Sequence, residues 1–151
     1  MFNSEFSILI RKDLRVHAGR PMMEKIALPN RLEERLIDFA VCIIDLAGRL
    51  PRTFQARHIA NQILRSGTAG APNYAEARGA ESRQDFIHKM RIVGKELNET
   101  AVWLRIILKS SLLPPEFLAG ILAENTELAR IVSASIKTAR TCSVVSRSDD
   151  N

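Results

Sequence analysis

The chain is poor in cysteine, in aromatic residues and in long apolar runs. Cys42 lies in the apolar run VCII and Cys142 in a polar stretch; two lone thiols so far apart in sequence suggest neither a disulfide framework nor a cysteine metal cluster. One Trp, one Tyr and six Phe leave little β-forming material, while Ala, Leu, Ile, Arg and Glu abound, so helix is favoured over sheet. No apolar run reaches the eighteen residues that a membrane-spanning helix needs. Near the start, Ser7-Ile8-Leu9-Ile10 is cut short by Arg11-Lys12-Asp13, too early for a secretion signal. The expectation is a protein of the reduced cytoplasm without a membrane role.

What is present fits one globular domain. Its 151 residues can bury a core without staples, and a hydrophobic content of 46% with 26% charged residues excludes wholesale disorder. A net charge of +5 is compatible with nucleic acid or another acidic partner, but proteins that bind neither can carry as much.

Residues 1–29 show no sustained period and read as an arm, with room for a brief strand or helix at Phe6–Leu14. Four helical segments follow. The first opens on Asn30, with Glu33 completing a capping box, and repeats Leu32, Leu36, Phe39, Ile43, Leu46 or Ala47, and Leu50 on one face before Pro51 stops it. The second begins near Thr53 or Phe54 and runs into a small-residue track. Pro72 inside that track predicts a kink or a local break. The third runs from Ser82, capped through Asp85, to about Ser111, and buries Phe86, Met90, Val93, Leu97, Leu104 and Leu108. Leu113-Pro114-Pro115 separates it from a fourth, which carries Leu118, Ile121 or Leu122, Leu128, Val132 and Ile136 to about Arg140. Residues 142–151 read as a disordered tail. The fold class is therefore all-α, an antiparallel up-down four-helix bundle over residues 30–141.

Two helix faces ask for more than a core. At 100° per residue, His88, Arg91, Lys95, Arg105 and Lys109 form a single stripe opposite Phe86, Leu97 and Leu104. Like charges gathered in this way repel each other. Either acids of a neighbouring helix pair with them, the reading with the edge from periodicity alone, or the stripe meets a polyanion. Secondly, Val41, Cys42, Ile43 and Ile44 stand in succession, and Val102, Trp103, Ile106 and Ile107 lie off the main apolar face. A small bundle cannot bury so many sides by itself, so self-association is expected.

No reaction chemistry assembles. Di-iron bundles need paired Glu-x-x-His motifs, and the nearest approach, Asp85 with His88, has no second copy. GTAGAPN at Gly67–Asn73 lacks the lysine and hydroxyl of a phosphate loop. The expectation is no enzyme, no cofactor and no metal. Within the small-residue track, Asn73 and Glu76 share a helix face. Hydrogen-bonding a kinked backbone or an adjacent helix is the preferred role, and lining a site with Arg65 and Arg78 is the alternative.

The blocks LPR at Leu50–Arg52, QILRSGTAGAPNYAEA at Gln62–Ala77 and SRQDFIHKMRIVGKELNET at Ser82–Thr100 resemble a known family. These are the small bundle proteins labelled ribosomal protein S23, or 23S rRNA intervening-sequence proteins. The resemblance runs from Leu36 to Ile107 and includes Arg65-Ser66, Asn73, Glu76 and Asp85-Phe86; Pro72 departs from it, standing where the family usually has a small residue. It implies a four-helix bundle assembled as a ring, typically a homopentamer, with no established catalytic activity. It also implies a link to RNA or DNA. A related branch, the accessory protein of diversity-generating retroelements, works with a reverse transcriptase and its RNA, which makes such an enzyme a candidate partner.

Overall fold

The computed structural model describes residues 28–145, in four helices: α1 (Leu28–Arg49), α2 (Phe54–Arg78), α3 (Arg83–Lys109) and α4 (Pro115–Val145). No strand occurs among the described residues. The expected element at Phe6–Leu14 lies outside them, as does most of the arm. Helix α1 begins at Leu28, so the arm's last two residues are helical and Asn30 stands inside the first turn instead of capping it. Proline is accepted in a first turn, and Pro29 is therefore no barrier. At the other end α4 passes Arg140 and continues to Val145, because no glycine or proline interrupts it after Gly120.

Local signals set the remaining boundaries. The Thr53 hydroxyl accepts from the amide of Ala56 at 3.2 Å and starts α2. Ser82 does the same for Asp85 at 3.1 Å, while the Asp85 carboxylate accepts from the amide of Glu81 at 3.3 Å. Helix α3 closes on Ser110, followed by Ser111 in the left-handed region at φ 52°.

The helices alternate in direction. Glu33 pairs with Arg78 and Leu36 packs on Gly70 between α1 and α2. Glu76 meets Lys89 at 3.5 Å, and Arg65 meets Glu99, between α2 and α3. Asn125 reaches back to Leu97 between α3 and α4, and Nε and Nη2 of Arg35 each donate to one carboxylate oxygen of Glu124 at 2.9 Å between α1 and α4. Each helix thus has two neighbours, with α1 diagonal to α3. The periodic apolar set of α1 is the buried set, from Leu32 to Leu50, with Leu46 rather than Ala47 taking the inner position. In α3, Phe86 and Leu108 are only partly buried, and Thr100 and Ile107 fill the core instead.

The small-residue track brings α1 against α2. A methyl group on Gly67 would lie 2.7 Å from Ile43 Cγ2 and 3.1 Å from its Cβ, and one on Gly70 would lie 3.2 Å from Leu36. Pro72 does not break α2, which is continuous through it. Proline deprives the Thr68 carbonyl of its N–H partner, but Pro72 itself is exposed, opposite the buried Gly67, Gly70 and Tyr74 that fix the helix on the core. Asn73 reinforces the disturbed turn, its Nδ2 donating to the carbonyl of Ala69 at 2.7 Å.

Three polar side chains lie in the core. Ser66 and Thr100 place their hydroxyls 3.0 Å apart across α2 and α3, with the Gln62 and Glu96 carbonyls as further acceptors. Asn125 donates to the Leu97 carbonyl at 3.2 Å.

Candidate nucleic-acid interface

Helix α3 exposes every member of its basic stripe: His88, Arg91, Lys95, Arg105 and Lys109. At 1.5 Å rise per residue it extends over about 30 Å, close to one turn of duplex DNA. Exposed Asn98 and Val102 divide it into two cationic clusters.

Acids on the same helix do not neutralise it. Glu99 is held by Arg65 of α2, with Glu96 at 4.0 Å from the same guanidinium. Lys89 takes Asp85 at 3.9 Å and Glu76 at 3.5 Å. Among the described residues, the stripe's own Arg91, Lys95, Arg105 and Lys109 make no ion pair. Among the described residues, the expected pairing of the stripe with acids of a neighbouring helix is not found. The acids of α3 itself face the α2–α3 seam, where Arg65 and Lys89 use them. Opposite charges were sorted to different sides of α3, leaving one side cationic and open.

The residues singled out in the small-residue track belong to that seam. Arg65, Glu76 and Asp85 make ion pairs between or along the helices, and Asn73 bonds its own backbone. Arg78, on the other side of α2, holds Glu33 of α1. They do not converge on the stripe.

A cavity of about 700 Å³ opens where α3 begins, against the later part of α4. Arg83, His88 and Arg91 line it from α3 and Arg140 from α4, with Ile87 and Ala139 as apolar wall. His88 and Arg91 thus belong to both cavity and stripe. Periodicity along α3 could not reveal Arg140, which comes from another helix. Arg83 escaped because it stands off the angle shared by the stripe.

Residues 31–134 match the model of the 23S rRNA-intervening sequence protein family. The chain belongs to that family. A crystal structure from Bacteroides thetaiotaomicron, of a protein with unknown function from the S23 ribosomal protein family, is 35% identical, with a TM-score of 0.68. The alignment covers 72% of this chain and 97% of that one. No curated protein matches. Family membership agrees with the four-helix plan but assigns no activity.

The described residues place no three His, Cys, Asp or Glu side chains together as a metal would require. None of the described helices is long and apolar enough to cross a membrane.

Proposed function

We propose that this protein is a non-enzymatic, self-associating bundle of the cytoplasm that binds the backbone of RNA or DNA through the exposed face of α3. The observation that carries this reading is a row of cations, about 30 Å long, whose possible partners on the same helix are engaged elsewhere. Unpaired, aligned cations cost helix stability by mutual repulsion, and phosphates would relieve it. The cations are strung along one open helix face, an arrangement suited to following phosphates, so binding is dominated by counterion release and is weakly dependent on sequence.

Self-association is supported by apolar side chains that the single chain leaves in water. Ile37, Val41 and Ile44 follow one another along the outer face of α1, and Phe54 and Val102 are also exposed. The family resemblance suggests a pentameric ring. Repetition of the stripe around a ring would multiply weak phosphate contacts into avid binding. Such an assembly would serve an RNA-related process as an accessory factor, with a reverse transcriptase among the candidate partners.

The test is a titration of structured RNA and of duplex DNA at two salt concentrations, with the wild type and with Arg91, Lys95, Arg105 and Lys109 all changed to Gln. For duplex DNA, each phosphate that the variant no longer neutralises should flatten the logarithmic salt dependence by about 0.9. Four such phosphates predict a change of roughly 3 to 4 on that scale. Equal binding by the two proteins, or none by either, refutes the stripe. In that case an adaptor role, with a protein as partner, takes its place.

A further inference from the structure

The cavity at the start of α3 differs in kind from the stripe that runs out of it. The stripe mixes Lys and Arg along an open face, roughly one charge per turn. The cavity instead gathers Arg83, His88 and Arg91 of α3 with Arg140 of α4 around a recess of about 700 Å³, with no acid among the described residues that line it. That volume lies within the usual range for small-ligand sites. Guanidinium groups present planar, paired donors that match phosphate oxygens, whereas the ammonium of lysine acts as a point charge.

The position sharpens the charge preference. Arg83 is the first residue of α3, immediately after the Ser82 cap, and so adds its cation to the positive end of a helix dipole. The dipole alone would favour an acid there, so an arginine at this place lacks a local electrostatic reason. Among the described residues Arg83 makes no ion pair to offset that cost.

An internal phosphodiester carries one negative charge; a phosphomonoester carries about 1.5 to 2 at neutral pH and offers three terminal oxygens. The concentrated cations of the cavity match the second better than the first. Half-buried Ile87 and Ala139 supply an apolar wall for the sugar or base attached to it.

We infer that this cavity holds the terminal phosphate of a nucleic-acid strand, whose backbone then continues along the stripe. The inference rests on the stripe as a phosphate-binding face, and adds an end-recognising site to it. A free nucleoside monophosphate presents the same chemistry and is the second source of ligand.

The experiment uses the full chain and one short single strand prepared with a 5′-phosphate, with a 3′-phosphate, or with hydroxyls at both ends. One phosphorylated form should bind about tenfold more tightly than the hydroxyl form, the gain expected of one or two charge-assisted hydrogen bonds. Changing Arg83 and Arg140 together to Gln should remove this ratio. Changing Lys95, Arg105 and Lys109 to Gln should weaken all three strands and preserve it. Equal affinity of the wild type for all three strands, or an unchanged ratio in the Arg83/Arg140 variant, overturns the inference.

Calorimetric titration with a nucleoside 5′-monophosphate, beside the unphosphorylated nucleoside and inorganic phosphate, separates the two readings. Binding of the monophosphate above both controls supports the cavity even if no strand binds, a result that would sink the stripe alone. No binding of the monophosphate, or binding no tighter than that of inorganic phosphate, overturns the cavity as a site for phosphate esters.

Discussion

Helices α1 and α3 stand diagonally across the same bundle, yet their outward faces are opposites. That of α1 carries Ile37, Val41 and Ile44, which are 41%, 58% and 55% exposed. That of α3 carries His88, Arg91, Lys95, Arg105 and Lys109. Both inner faces follow the same physical rule, with Ile43 on one and Leu97 and Leu104 on the other closing the core. The contrast therefore says nothing about how the bundle folds. On the proposed reading the two surfaces would take different company, one apolar and one anionic, and substitutions should affect them separately.

The most disruptive way to break this comparison is to charge the apolar face. Val41→Asp with Ile44→Asp should convert an oligomer to a species near 16.9 kDa by light scattering, with the helical circular dichroism retained. Such exposed positions contribute little to the core of a single chain, and burying an unpaired carboxylate between subunits is costly. Neutralising the stripe should leave the oligomer intact. A wild type that is already monomeric refutes self-association, and a stripe variant that dissociates would show that the two faces are one.

A smaller effect probes the core that both faces share. Gly67→Ala should lower folding stability by about 1 to 3 kcal/mol in a denaturant titration, because the new methyl group meets Ile43 near its Cβ and not at a flexible tip. Gly120→Ala should act in the other direction, raising stability by about 0.5 to 1 kcal/mol, since a methyl group there meets nothing within 4 Å. Equal effects of the two would mean that α1 and α2 approach each other loosely enough to absorb a methyl group.

Smallest is the titration of Cys42, beside the apolar face. Burial pushes its thiol pKa up, and Asp38, Asp45 and Glu124 add to the rise. The folded protein then holds this proton to higher pH than the unfolded chain. The resulting stability is present below the ordinary thiol pKa, about 8.5, and is lost as pH rises through the raised value. Cys42→Ala should flatten that alkaline decline, and Cys42 in the wild type should be alkylated more slowly than an unhindered thiol. Alkylation at the rate of a free cysteine would contradict both.

The fold was legible because its signals are local and repeated. Leu32 to Leu50 announce one helix face by spacing alone, and Thr53 and Ser82 announce helix starts by their hydroxyls. The continuity of α2 through Pro72 was not legible, since it depends on which side of the helix the core occupies. Buried Ser66, Thr100 and Asn125 were hidden for a related reason: each polar side chain finds its acceptor at a helix crossing. The cationic stripe could be drawn from the angle of α3. Whether anything neutralised it could not, because the answer lies in Arg65, which competes for Glu99 from thirty-four positions earlier in the chain. The cavity required two helices, and Arg140 follows Arg83 by half the bundle.

Gly67 and Ile43 can be regarded as sharing one fixed allotment of space. If a relative keeps the same approach of these two helices, the combined volume of the pair should vary less than the volume of either residue. A bulkier group at the first position should coincide with a trimmed one at the second, and Ile43→Val should restore part of what Gly67→Ala loses. The pair would then serve as a molecular ruler, showing which descendants of this fold still hold their first two helices at the same distance.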